Sequence, residues 1–380
     1  MGYQLTEEQR DIVELAKDFA EKTLKPVVAE CDRTGEIPLD IYEKAFDIGF
    51  QTMEIPEEYG GMGLSYYAIY PAMEEIAKVD AGFATGIAAS SLALKPVLIA
   101  GNEEQKKMFA QYITRENEKG NGFAAFCLTE PEAGSDAAAG KTVAVKEGDE
   151  YVINGTKCFI TNGGLAQVFV VFAITDKTKG VKGISAFIVE RDRAGISIGK
   201  EEDKMGIRLS NTAEVVFDNV RIPADHLLGQ EGKGFTYAMK TLDLARPLIG
   251  ALACGIAQRA IDEAVAYAKT RVTFGKPIIR HQAIAFKLAD MDIMTESARS
   301  TVINALNKYY SGEPYSREAA IAKCYASDIS VQVALDAIQI LGGYGYSREY
   351  PVEKLLRDAK IMQIFEGTNE VQRIVISSAL

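Results

Sequence analysis

The spacing of apolar residues changes twice along this chain. From Thr6 onward, Ile12, Leu15, Phe19 and Leu24 fall at roughly helical intervals, and similar stretches follow at 38–49, 66–79, 82–100 and 103–116. Thr6-Glu7-Glu8-Gln9 reads as a capping box that opens the first helix, and Pro26 is expected to end it. From Gly122 the period shortens to that of strands. "GFAAFCLTE", "KTVAVKEGDEYVINGTKCFIT", "QVFVVFAITD", "GISAFIVERD" and "TAEVVFDNVRI" are apolar or alternating runs, with turns expected at Asn154-Gly155 and Lys179-Gly180. They predict a small sandwich or barrel over about 122–226. From Gly234 the helical period returns over 234–271, 282–311, 315–341 and 350–364, with a short fifth helix from Thr368, and these lengths suit a bundle. Gly342-Gly343 reads as a left-handed helix end. The expected fold is α+β in three parts: an N-terminal helical domain (1–121), a middle β-barrel or sandwich domain (122–230) and a C-terminal four-helix bundle (231–380).

Composition narrows the chemistry. The 380 residues are 47% hydrophobic and 25% charged, ordinary for a globular chain, and the net charge of −11 argues against nucleic-acid or anionic-membrane binding. No run reaches the 18 or so unbroken apolar residues of a membrane span; 82–100 is nearest, broken by Ser90, Ser91 and Lys95. Five scattered cysteines without a CxxC pair predict reduced, packed thiols in a cytoplasmic compartment, and no secretory signal is read at the start. Met1-Gly2 with Thr6 fits a short myristoylation pattern, but the capping box explains Thr6 better. Two histidines leave little for a metal site or a His-dependent triad, so no metal is expected and redox chemistry must come from a cofactor. G-x-G-x-x-G after a strand and the P-loop pattern are both missing.

Four stretches are polar or glycine-rich where their surroundings are not. "CLTEPEAGSDAAAG" (127–140) leaves a strand and displays backbone N–H groups, with the Thr129 and Ser135 hydroxyls. "FITNG" (159–163) ends a strand on an aromatic that can pack on a planar ligand or in a core. "RVTFGKPIIRHQA" (271–283) breaks two long helices, and Arg271 can complement a helix end or clamp a pyrophosphate. "IMQIFEGTNEVQR" (361–373) sets Glu366 between apolar residues and a glycine at a helix joint, where desolvation would make a carboxylate a stronger base. Taken singly, each also fits an ordinary turn or helix end.

Together, in this order, they resemble the acyl-CoA dehydrogenase family over nearly the whole chain. "FCLTEPEAGSD" (126–136) and "QILGGYGYSREYPVEKLLRDAKIMQIFEGTNEVQR" (339–373) carry the resemblance. It implies an FAD enzyme, organised as α, β, α domains, that oxidises an acyl-CoA to the 2-enoyl-CoA and passes electrons to an electron-transfer flavoprotein. By this likeness Glu366 is the catalytic base, with hydride leaving to flavin N5, and Gly367 lets backbone approach the thioester. Leu128, Thr129, Phe159 and Thr161 line the flavin, and Thr368 and Glu370 serve the rest of FAD. Arg271, Phe274, Gln282, Gln339 and Gly343 reach FAD across an interface in a homotetramer, a dimer of dimers. Ser135 would touch the CoA moiety, and Asp243 and Arg246 match positions near bound CoA thioester. Ala245 stands where other branches carry their base, so Glu366 has no rival there.

The resemblance also places 82–96 along the acyl chain. Positions 82 to 94 carry no charge, Gly86, Ala88 and Ala89 are small, and the arginine of glutaryl-CoA relatives is missing. A neutral short- or medium-chain or alicyclic acyl group is therefore expected. An oxidase, an enoyl-CoA reductase running in reverse and a non-enzymatic acyl-CoA or flavin-binding protein are the competing readings.

Overall fold

In a computed structural model describing residues 5–380, Thr6 caps the first helix as expected; Met1-Gly2 lies outside the described residues. The Thr6 hydroxyl accepts from the Gln9 N–H at 3.2 Å, and the Gln9 side chain accepts from the Thr6 N–H at 3.1 Å. Helix α1 (Glu7–Phe19) does not stop before Pro26. It passes through a π-turn (Ala20–Leu24) into α2 (Lys25–Thr34), with Pro26 in the first turn of α2, directly after the π-turn. Helices α3 (Leu39–Ile48), α4 (Tyr66–Val79), α5 (Ala81–Ala100) and α6 (Glu103–Thr114) complete the first part.

Helix α5 contains the stretch that comes nearest in sequence to a membrane span. By length and composition it is apolar enough to cross a bilayer, yet most of it is buried in protein, against α4, α7 and the first strand. Its small residues are packing sites. A Cβ on Gly86 would stand 2.0 Å from the Tyr42 hydroxyl, and one on Gly82 would meet the Ile207 backbone at 2.8 Å. Neither glycine leaves room for an acyl chain.

The middle part is one curled seven-stranded sheet. Its strands are β1 (Ala124–Cys127), β2 (Val143–Glu147), β3 (Glu150–Thr161), β4 (Val168–Ile174), β5 (Ile184–Glu190), β6 (Ile196–Glu201) and β7 (Thr212–Pro223). They run in the order β1-β4-β2-β3-β7-β6, with β5 also on β4. Asn154-Gly155 is not a turn: β3 continues through it with a bulge, because Gly155 lets the strand press onto Thr142, 2.3 Å from where a Cβ would sit. The β2–β3 hairpin turns instead at Gly148 (φ 62°). The turn at Lys179-Gly180 does form, with Gly180 at φ 54°.

The last part holds α7 (Gly234–Thr270), a two-stranded hairpin of β8 (Val272–Thr273) and β9 (Lys276–Pro277), α8 (Gln282–Tyr310), α9 (Ser316–Leu341), α10 (Val352–Met362) and α11 (Asn369–Ser377). Helix α7 packs on α8 and α9 and also reaches α4 and α5, so the bundle is continuous with the first helices. Gly342 ends α9 with φ 63° but ψ −134°, outside the left-handed helical region, and a 3₁₀ turn follows. All five cysteines are unpaired and buried.

Candidate active site

The loop after β1 is held from beneath. Lys157 of β3, 2% exposed, donates to the Leu128 carbonyl at 3.0 Å and to Glu130 at 2.7 Å. Burial alone would raise the Glu130 pKa, but Lys157 and the Lys141 and Thr142 N–H groups hold it below the ordinary carboxylate value. The Cys158 N–H donates to the Thr129 carbonyl at 3.0 Å. Leu128 and Thr129 are thereby brought beside Phe159 and Thr161, two segments about thirty residues apart in the chain. Phe159 is 65% exposed with φ 54°, an unusual backbone for an aromatic residue. Ser135 sits exposed on the same loop.

Beyond α7, Arg271, Phe274 and Gly343 line one cleft of about 590 Å³, with Tyr267, His281 and Tyr344. Phe274 is 97% exposed at φ 48°, and Arg271 has no carboxylate within ion-pair reach among the described residues. Gln282 and Gln339 are exposed next to lining residues of this cleft but do not line it themselves.

Glu366 occupies a tight joint between α10 and α11. The backbone is left-handed at both Glu366 (φ 52°) and Gly367 (φ 90°) before Thr368 caps α11 by accepting from the Val371 N–H at 3.3 Å. The Gln372 amide donates to the carbonyls of Glu366 (3.2 Å) and Gly367 (2.8 Å), and the Lys323 ammonium donates to the Gly367 carbonyl at 2.8 Å. The Glu366 N–H has no acceptor among the described residues. Its side-chain Oε2 is shut off from solvent with no hydrogen-bond partner, although other parts of the residue are less deeply buried. Burial pushes the carboxyl pKa up to about 7, against the pull of Lys95, Lys323 and Arg246. Phe365 packs on the core as expected, but Ile364 is 46% exposed and contributes nothing to that desolvation.

Arg246 is buried and pairs with Asp243 at 2.5 Å, while its Nε lacks a partner. Asp243 also accepts from the Ser316 hydroxyl. Ala245 is buried beside them. Glu370 is exposed in the first turn of α11.

Two further features escape the sequence pattern: Lys323, which is fully buried with its pKa lowered to about 8 by burial, and the pair Glu54–Lys95. A lysine in "AAIAKCYAS" carries no local signal of burial. Glu54 in "MEIPEEYGG" reads as one of several turn glutamates.

Among the described residues, three of the seven non-glycine residues with left-handed backbone, Phe159, Phe274 and Glu366, are residues singled out for ligand chemistry. Backbone strain of this kind concentrates where a site is preorganised. Comparison with known proteins agrees. The acyl-CoA dehydrogenase N-terminal, middle and C-terminal domain families match residues 6–117, 125–220 and 232–380. A short-chain-specific acyl-CoA dehydrogenase of Megasphaera elsdenii is 48% identical over all of both chains, and one of Clostridium acetobutylicum is 46% identical, again over all of both. Among solved structures, butyryl-CoA dehydrogenase from Megasphaera elsdenii superposes with a TM-score of 0.96 at 46% identity, covering 100% of this chain and 99% of the other. A chain in the structure described as the electron transferring flavoprotein of Acidaminococcus fermentans gives 0.96 at 48%, with the same coverage.

The chain is an FAD-dependent oxidoreductase, and it belongs to the acyl-CoA dehydrogenase family. Its residues fit the cofactor: an unpaired guanidinium and a fully displayed aromatic ring share one cleft, and a second exposed ring stands by the loop at Thr129.

Proposed function

We propose that this enzyme converts a neutral short- or medium-chain or alicyclic acyl-CoA to its 2-enoyl-CoA, with Glu366 as the base. Glu366 takes the proton from C2 as hydride leaves C3, and the electron pair of the C2–H bond becomes the new double bond. Bound FAD supplies the two-electron acceptor for that hydride. The observation that carries the reading is the buried, unpartnered Oε2 of Glu366 with its pKa near 7. A thioester α-proton is a weak acid, and a base matched to neutral pH removes it best. The uncommitted Glu366 N–H is available to a thioester oxygen, where it would stabilise developing enolate charge.

In this reading Leu128, Thr129, Phe159 and Thr161 hold the flavin ring, while Thr368 and Glu370 hold its dinucleotide portion. Ser135 touches the CoA moiety, while Asp243, Arg246 and Gly367 lie by its thioester. Arg271, Phe274, Gln282, Gln339 and Gly343 complete the FAD site of a neighbour in a homotetramer, which accounts for a ring as exposed as Phe274. Domain boundaries fall at 121/122 and 230/231, in the segments that join helices to strands. The unpaired cysteines are in keeping with a cytoplasmic setting. Likeness to the Acidaminococcus chain supports an electron-transfer flavoprotein as redox partner.

The test is anaerobic mixing of the FAD-loaded enzyme with butyryl-CoA, followed by flavin absorbance. Glu366→Gln should keep FAD and fold yet reduce the flavin on the order of a thousandfold more slowly. Unchanged reduction would place the base elsewhere.

A further inference from the structure

Lys323 is a fully buried cation on α9 with no carboxylate within ion-pair reach among the described residues. A buried ammonium without a counter-ion is costly, and packing alone would be served by an apolar residue of similar length. What it touches is the joint that carries Glu366. Its ammonium donates to the Gly367 carbonyl at 2.8 Å and to the Asn369 side-chain oxygen at 2.9 Å. Asn369 is itself fixed. Its side-chain amide donates to Asp328 at 2.7 Å and to Ser327 at 2.9 Å, and its backbone N–H closes the joint on the Gln363 carbonyl at 3.0 Å.

Gln372 holds the same backbone from α11. It is fully buried, and its amide donates to the Gly367 carbonyl at 2.8 Å and the Glu366 carbonyl at 3.2 Å. Side-chain donors from two helices thus converge on two consecutive carbonyls. They do so where the backbone is left-handed twice running, at φ 52° for Glu366 and 90° for Gly367. A glutamate keeps that conformation only when its surroundings over-determine it.

We propose that Lys323 and Gln372 are positioning residues for the base, holding the Glu366–Gly367 backbone so that the carboxylate reaches the C2–H of a bound acyl-CoA. This rests on the reading of Glu366 as the base. Lys323 adds a charge, which Gln372 does not. The cations facing Glu366 are Lys95 from α5, Lys323 from α9 and Arg246 from α7, and all three favour its ionised form. Lys323 in turn is acted on by Glu366, Cys324 and Asp328, and opposed by Arg246. Removing the ammonium therefore loosens the backbone and makes the Glu366 carboxyl harder to ionise. Removing the amide only loosens the backbone.

The test uses Lys323→Met and Gln372→Met as FAD-loaded enzymes, reduced anaerobically by butyryl-CoA in rapid mixing, with melting temperature and FAD content measured alongside. Neither variant strands a paired charge, so both should fold and keep FAD. The limiting rate of flavin reduction should fall about tenfold to a hundredfold in each, because a shift of about 1 Å in a reacting group costs that much. The half-saturating concentration of butyryl-CoA should stay close to that of the wild type. Only Lys323→Met should move the step in the pH profile of kcat/KM upward from about 7. A Lys323→Met enzyme with the wild-type rate or the wild-type step overturns the proposal, as does a Gln372→Met enzyme with the wild-type rate. Failure of either variant to fold or to keep FAD overturns it too, by making that side chain a support of the fold alone. If Glu366→Gln reduces its flavin as fast as the wild type, the base reading falls and takes this one with it. A slow Glu366→Gln beside a fast Lys323→Met removes the positioning role only.

Discussion

Glu366 is a carboxylate whose surroundings disfavour its charge. Its pKa of about 7 lies above the ordinary 4.5, so between those values the folded protein keeps a proton that the unfolded chain has released. Stability from this group is therefore present below about pH 4.5 and is lost as pH rises through about 7. Activity runs the other way, because only the ionised form accepts the α-proton. We expect kcat/KM to climb about tenfold per pH unit below 7 and to level off above it, and the Glu366→Gln variant to show no such step. Stopped-flow flavin reduction across pH 5.5 to about 9 checks this, and a flat wild-type profile would contradict it. Glu366 is legible in the amino-acid sequence because its motif is long and specific. Lys95, Glu54 and Lys323 are not, because burial of a charged residue is decided by partners far off in the chain. Glu54 and Lys95 are 41 positions apart, and Lys323 is 44 from the carbonyl it holds.

At the scale of elements, the loop after β1 depends on one lysine. Lys157 is buried, and burial pulls its pKa down against the attraction of Glu130. Lys157→Met would leave Glu130 buried without a counter-ion and release the Leu128 carbonyl. Breaking a buried pair from one side costs about 3–5 kcal/mol. We expect a clear fall in melting temperature by circular dichroism and loss of FAD on gel filtration, with Glu130→Gln/Lys157→Met recovering most of the stability but not the flavin affinity. Helix periods and strand runs are readable because apolar spacing survives in any local context. The bulge at Gly155 and the π-turn before Pro26 are not, because each answers to a long-range fit: Thr142 against Gly155, and a helix that has to continue to Thr34.

Across the molecule, one buried knot joins the three parts. Asp80 caps α5 by accepting from the Phe83 N–H at 2.7 Å and also takes the Lys354 ammonium at 2.6 Å. Lys354 also holds Asp358 on its own helix, and Asp358 accepts from the Ile207 N–H of the sheet domain at 2.6 Å. Burial alone would lower the Lys354 pKa, but the two carboxylates outweigh it and keep it above the ordinary value. Lys354→Met leaves two acids facing each other in the interior. We expect it to cost about 3–5 kcal/mol and to lower the urea midpoint of the whole chain in a single transition. A biphasic transition with one part unaffected would show that the knot does not couple them. The α, β, α order is plain in the sequence; the knot is not, since Asp80 and Lys354 are 274 positions apart.

The left-handed backbone at Glu366 has a consequence for how such a protein changes over generations. Glycine enters that conformation without steric cost, while glutamate there carries both a strained backbone and a desolvated carboxylate. A library of variants kept only for folding would therefore drift away from glutamate at 366, with glycine among the favoured replacements, and would shed catalysis while growing hardier. Only continued demand for the reaction holds that residue where it is.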